Sequence, residues 1–280
     1  MRVGIIGSGI MGSGITEVAA VNGHEVVLRS RSVESAHATV AGTEKSLRRQ
    51  VDKGRMEADA ADAALGRISC TASLADLAGC DLVIESVVED LDVKLALFAE
   101  LDGICGPDTI LATNTSTLPV VEMAMATSRP DKVCGVHFFN PAPVMSLVEV
   151  VRPLTASDET IAAVTDFAAG CGKDVVEVKD EAGFIVNALL FPYLNNAVKM
   201  LERGTATAEG IDTAMKGGCG FPMGPLALLD LVGIDTSVSI LDALLAEFGD
   251  PSLTPAPTLR RMNAAGHLGR KSGVGFYDYR

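Results

Sequence analysis

The hydrophobic positions of the chain fall into two regimes. Residues 2–6, Arg-Val-Gly-Ile-Ile, are a short apolar run ending at Gly7, the pattern of a strand buried in a parallel sheet. Residues 11–22 continue with helical apolar spacing, Asn22-Gly23 supplies a helix stop, and residues 25–28 read as a second strand. This is a β-α-β unit. Residues 33–66 are polar and alanine-rich and predict two helices broken at Gly54. Further strands are predicted at 68–71, 82–84, 109–112, 133–138, 147–151 and 175–178, with helices at 93–101 and 158–169. Beyond Gly183 the β-branched runs disappear, and 184–203, 207–216, 225–248 and 258–265 all carry a helical pattern.

Strands alternating with helices predict an α/β fold, a Rossmann-like, doubly wound, mostly parallel sheet. The helix-only remainder predicts an all-helical C-terminal domain, so the chain divides into residues 1–182 and 183–280. A length of 280 residues with 48% hydrophobic and 21% charged positions accommodates two such domains. The formal net charge of −13 excludes a nucleic-acid partner, because phosphate contacts need clustered Lys and Arg. A small anionic ligand remains compatible, since a local basic patch can sit on an acidic protein. Six cysteines are scattered with no CxxC pair, which predicts reduced thiols and neither a disulfide framework nor a metal site. No uncharged apolar run approaches a membrane span, and the chain enters a strand at Val3, too early for a secretory segment. A cytoplasmic protein without a membrane partner is expected.

Gly7-Ser8-Gly9-Ile10-Met11-Gly12 is a G-x-G-x-x-G motif placed between the first strand and the first helix. Gly7 permits a tight turn, Gly9 a close backbone approach to a pyrophosphate, and Gly12 close packing of the helix. The helix N-terminus, opened by Ile10 and Met11, offers N–H groups and a positive dipole to phosphates. The expectation is a bound dinucleotide. An acidic residue is usual at the end of the second strand, where it holds a ribose 2′-hydroxyl. Here the chain reads Arg29-Ser30-Arg31, with no carboxylate before Glu34. Ser30 and Arg31 suit a 2′-phosphate, so the residues favour NADP over NAD.

Thr113-Asn114-Thr115-Ser116 follows a strand end, where ligands gather in open α/β sheets. His137 lies near the end of another predicted strand, and Glu149 sits twelve residues later inside an apolar run. If those two strands form a hairpin, Glu149 can reach His137, fix its tautomer and support its charged form. Such a pair is a base suited to removing a hydroxyl proton while hydride leaves the same carbon.

These segments, together with 83–89, 183–187, 222–225 and the closing Gly269-Arg-Lys-Ser-Gly-Val-Gly-Phe-Tyr277, resemble the short-chain 3-hydroxyacyl-CoA dehydrogenases almost end to end. The resemblance implies a helical domain that dimerises and an acyl-CoA substrate held in a cleft, with 3-hydroxybutyryl-CoA and acetoacetyl-CoA as the expected couple. It implies His137 as base and Glu149 as its partner, with Ser116 and Asn187 holding the substrate's 3-oxygen and thioester region. Glu89 and Lys94 match positions lining the nicotinamide and its ribose, and Asn114 one near the nicotinamide amide. Ser46, Arg49 and Lys53 fall in the segment resembling the CoA clasp, within a basic island that also holds Lys45 and Arg48. Ser30 stands where the family usually has Asp. A substrate carried on acyl-carrier protein, or a free hydroxy acid, would suit the same residues. A dinucleotide-binding redox sensor would have no need of a base beside the nicotinamide.

Overall fold

In the computed structural model, which describes Met1 to Arg280, the first apolar run is β1 (Arg2–Ile6), followed by α1 (Ile10–Val21) and β2 (Glu25–Arg29). The alanine-rich stretch forms α2 (Val33–Asp52) and α3 (Ala58–Leu65), with Gly54 between them in a left-handed turn. Then come β3 (Ile68–Thr71), β4 (Leu82–Glu85), α4 (Leu91–Ile104), β5 (Ile110–Thr113) and a short helix not foreseen in the sequence, α5 (Val120–Met125). β6 (Val133–Phe138), β7 (Leu147–Arg152), α6 (Asp158–Gly170) and β8 (Asp174–Lys179) complete the sheet. Serine and aspartate side chains define several starts: Ser32, Asp90 and Ser157 each accept an N–H from the first turn of α2, α4 and α6.

The eight strands lie in the order β3-β2-β1-β4-β5-β6-β7-β8. All neighbours are parallel except β6 and β7, which pair antiparallel. The order reverses between β1 and β4, the switch point at which open α/β sheets bind ligands. Alternate strand residues Val3, Ile5, Leu28 and Ile84 share one apolar cluster with Ile15 and Val18 of α1, which holds that helix against the sheet. This unit spans Met1–Asp180, and a second spans Glu181–Arg280, a division two residues earlier than the pattern of the sequence suggested.

The second unit contains α7 (Val186–Glu202), α8 (Ala208–Cys219), α9 (Pro225–Val232), α10 (Ile234–Phe248) and α11 (Pro257–Ala264) around Leu194, Val198, Leu226, Leu229, Leu241 and Leu244. The single helix predicted over 225–248 is in fact two. Gly233 adopts φ 107° and breaks it, a conformation an L side chain rarely adopts. Two buried aspartates organise this unit. Asp212 accepts the first backbone N–H groups of α9, from Leu226 and Ala227, and the Tyr277 hydroxyl. Asp230 accepts the N–H groups of Phe276 and Tyr277 and the Tyr279 hydroxyl, tying the C-terminal segment to α9.

No helix is long and apolar enough to cross a membrane. All six cysteines are free. Burial pushes the thiols of Cys80 and Cys171 up to about 11 and that of Cys134 up to about 12, which keeps them in the unreactive thiol form. Removing the Asp230 carboxylate would strand two backbone donors. Asp230→Ala is therefore expected to lower stability by about 2–4 kcal/mol. An unchanged urea midpoint in that variant would refute the assignment.

Candidate active site

The switch point is built by glycines whose geometry leaves little choice. Gly7 has φ 118°, and a Cβ there would lie 2.2 Å from the Ser86 carbonyl oxygen. A Cβ at Gly12 would lie 2.0 Å from the Gly7 carbonyl oxygen. Gly9 differs, because a Cβ there would meet nothing within 4 Å. It faces open space at the start of α1, whose first turn has neither a side-chain cap nor an acidic residue. Its N–H groups and dipole are thus available to an anion. A groove of about 490 Å³ lies here, lined by Ser8, Gly9, Ile10, Ser13, Thr39 and Gly42. Ile10 is exposed and Met11 half-buried. A pyrophosphate fits this loop: backbone donors converge on it and no side chain fills the approach.

At the end of β2, Ser30 is buried and its Oγ lies 2.7 Å from Ser8 Oγ, on the glycine loop. Arg31 is exposed. Glu34, the first carboxylate beyond β2, is held below the usual carboxylate range by hydrogen bonds from its own N–H and the Ser32 hydroxyl at the start of α2. Along α2 and its C-terminal cap, Ser46, Arg49 and Lys53 recur at helical spacing and share one face. Arg49 and Lys53 are exposed, whereas neighbouring Arg48 is committed to Asp62 at 2.6 Å. Ser46 donates to Glu17 of α1 at 3.1 Å. Burial raises the Glu17 carboxyl, partly offset by that hydrogen bond.

The ends of β4, β5 and β6 gather the remaining polar groups. Asn114 accepts the Phe138 N–H through Oδ1 at 2.8 Å, which leaves its amide nitrogen as a donor. Glu89 accepts the Thr115 hydroxyl and the Ser116 N–H, at 2.5 and 2.9 Å. Lys94 is only 1% exposed, and its ammonium contacts Glu85 at 2.7 and 2.8 Å and Glu89 at 3.3 Å. It is thus a buried cation held by two carboxylates rather than a side chain open to a ligand.

The β6–β7 pairing places His137 directly opposite Glu149. His137 Nδ1 lies 2.7 Å from Glu149 Oε2, and Ser116 Oγ lies 3.1 Å from His137 Nε2. Glu149 is fully buried and His137 nearly so. A carboxylate only accepts, so a neutral ring at this position carries its hydrogen on Nδ1 and turns its Nε2 lone pair toward Ser116. The arrangement can take a proton at Nε2 while Glu149 balances the resulting imidazolium. Asn187 belongs to the second unit, buried in the first turn of α7.

Sequence reasoning brought together Ser116, His137 and Glu149, but it gave no individual role to Glu85, Thr113, Ser8 or Glu17. One signal was available: Glu85 closes the apolar run 82–84 much as Glu149 interrupts its own. No group of three or more His, Cys, Asp or Glu side chains is placed to hold a metal ion.

Residues 2–181 match the 3-hydroxyacyl-CoA dehydrogenase NAD binding domain, and residues 183–279 match the 3-hydroxyacyl-CoA dehydrogenase C-terminal domain. The chain is 49% identical to 3-hydroxybutyryl-CoA dehydrogenase of Mycobacterium tuberculosis, over 99% of this chain and 98% of that one. It is 46% identical to the 3-hydroxybutyryl-CoA dehydrogenase of Clostridioides difficile, over 100% and 99%. The crystal structure of (S)-3-hydroxybutyryl-CoA dehydrogenase from Ralstonia eutropha superposes with a TM-score of 0.97 at 43% identity, covering 100% of this chain and 99% of that one.

The two glycine positions make opposite predictions. Gly9→Ala should fold with an unchanged denaturation midpoint yet weaken NADH binding by about tenfold or more, because its methyl occupies the phosphate approach. Gly12→Ala should instead lower the midpoint, since its methyl meets the Gly7 carbonyl. NADH fluorescence titration and urea denaturation read the two effects, and a normal NADH affinity in Gly9→Ala would dismiss this loop as the phosphate site.

Proposed function

The chain belongs to the 3-hydroxyacyl-CoA dehydrogenase family, and on that premise we propose that it interconverts (S)-3-hydroxybutyryl-CoA and acetoacetyl-CoA by hydride transfer with His137 as the base. The observation that carries this reading is the line Ser116 Oγ, His137 Nε2, His137 Nδ1, Glu149 Oε2, with contacts of 3.1 and 2.7 Å. The glycine loop at Gly7, Gly9 and Gly12 would hold the dinucleotide, which when bound would supply the acceptor for the hydride from C3 of the substrate. His137 Nε2 takes the proton of the 3-hydroxyl, so a C–H and an O–H bond break and a carbonyl forms. In the reverse direction the imidazolium returns that proton to the 3-oxygen. Glu149 fixes the tautomer that leaves Nε2 basic, and in a water-poor site it stabilises the imidazolium. Ser116 holds the 3-oxygen. Asn114 is pinned through Oδ1 and would have its amide nitrogen for the nicotinamide amide.

Ser46, Arg49 and Lys53 present one polar, cationic face of α2 to the CoA moiety. The NAD binding domain supplies NAD(H) use. We add that NADPH is accepted as well and preferred. No carboxylate ends β2, exposed Arg31 can pair with a 2′-phosphate, and Glu34 is engaged at its own helix start. Against a strong preference, the Ser30 hydroxyl is already engaged with Ser8. A homodimer is supported by exposed Leu189, Phe221, Leu231 and Phe248 on the helical unit, and sedimentation at the monomer mass would refute it.

The decisive assay is acetoacetyl-CoA reduction followed spectrophotometrically with NADH and NADPH in parallel. His137→Gln should lose about 10²–10⁴ in turnover while NADH binding is retained. Near-normal turnover would remove His137 from its role. Arg31→Asp should depress the NADPH rate at least tenfold more than the NADH rate, on the order of one lost charge-assisted contact and one added repulsion. Equal effects on the two cofactors would dismiss the reading of Arg31.

A further inference from the structure

Glu85 is fully buried at the C-terminal end of β4, and no step above uses it. Its Oε1 accepts the Val87 N–H at 2.6 Å, its Oε2 accepts the Thr113 hydroxyl at 2.7 Å, and both oxygens grip the Lys94 ammonium. Lys94 also reaches Glu89, whose other oxygen holds the Thr115 hydroxyl and the Ser116 N–H. Ser116 in turn contacts His137. A continuous path of short contacts thus runs from the buried end of β4 to the base.

A buried ion pair is a poor device for stability alone, because well-packed apolar side chains of similar volume do as well or better. What this one does supply is charge. Two carboxylates and one ammonium sum formally to −1, and the excess falls on Glu89, whose side chain is 41% exposed beside Ser116. An oxidised nicotinamide ring is cationic and a reduced one is neutral, so a fixed negative charge near the ring stabilises the first relative to the second. We propose that Glu85 is a positioning residue that acts through Lys94: it sets the orientation and net charge of the Glu85–Lys94–Glu89 group and thereby weights binding toward the oxidised cofactor relative to the reduced one. The inference rests on the nicotinamide reading given above.

The test is a charge series read by binding, without turnover. Kd values for NADH come from its fluorescence and those for NAD⁺ from competition, and the quantity of interest is Kd(NAD⁺)/Kd(NADH). Glu85→Gln brings the group to zero and should raise the ratio by about tenfold, on the order of one unit charge at intermediate dielectric. Lys94→Met brings it to −2 and should lower the ratio by a similar factor. The double variant restores −1 and should return the ratio to that of the wild type. A purely structural role would weaken both forms together, leaving the ratio fixed across the series, and that result overturns the proposal. So does a Glu85→Gln shift that the second substitution fails to reverse. Should either single variant not fold, Glu89→Gln at the half-exposed carboxylate supplies the zero-charge state, and an unchanged ratio there is equally fatal. Failure of the wild type to bind either nucleotide would instead defeat the nicotinamide reading itself.

Discussion

The register of β6 against β7 is the constraint on which the site depends. Side chains alternate across a sheet, so a slip of one residue would carry every group on these strands to the opposite face. Cys134, Val136 and Phe138 of β6 and Val148 and Val150 of β7 lie in the apolar cluster on one side. His137 and Glu149 therefore face the other side, opposite one another. Moving them into the cluster would bury ionisable groups without partners, at a cost far above the stability differences that decide register. Gly135 adds a second lock. It pairs with Val151, and a Cβ on it would come 2.7 Å from the Val151 Cβ. The space it leaves admits Val120 of α5, whose first N–H groups, from Val120 and Val121, are accepted by Asp180. The loop that enters α5 carries Ser116, so the hairpin register and the position of the serine are settled together.

The same economy links the hairpin to the phosphate loop. The turn between β6 and β7 is closed by Lys173, which donates to the carbonyls of Ala142 and Met145 at 2.7 and 2.8 Å. Ala142 packs on α1 at Gly14, where an added Cβ would be 3.0 Å from the Ala142 Cβ. A single helix thus has an uncapped N-terminus at the glycine loop and supports the hairpin that carries His137 one turn later. The spacing between the glycine loop and that hairpin becomes a property of one rigid element, and orientation of this kind is a large part of what an enzyme contributes.

Much of this was legible in the sequence, for identifiable reasons. Short apolar runs have few alternatives to buried strands, and the order of strands and helices implied the doubly wound sheet. His137 and Glu149 were recognisable because a histidine and a carboxylate each interrupted an apolar strand. The break at Gly233 was not recognisable: the apolar spacing continues through it, and only a φ of 107° distinguishes two helices from one. The contact between Glu85 and Lys94 escaped for a different reason. Their pairing spans strand, loop and helix, and lysine in a helix is normally solvated, so nothing local marks one that is 1% exposed. Ser30 was read for its chemistry toward a phosphate, while its contact with Ser8 depends on the fold of the glycine loop.

These differences follow from the physics of two regions, the glycine loop and the cluster around His137. The glycine loop is made by subtraction: backbone N–H groups at an uncapped helix start, with side chains removed at Gly7, Gly9 and Gly12. Subtraction is written in the sequence as glycine, and it fails when atoms are added. The His137 end is made by pairing: Glu149 with His137, Glu89 with the Ser116 peptide, Glu85 with Lys94 and Thr113. Each partner comes from a different strand, loop or helix, and the end fails when atoms are removed. A buried charge that loses its partner keeps its desolvation cost, so single truncations here should cost more than replacing both members of a pair. Sequence can therefore locate the glycine loop from one segment, whereas the cluster around His137 exists only once the sheet has set its registers.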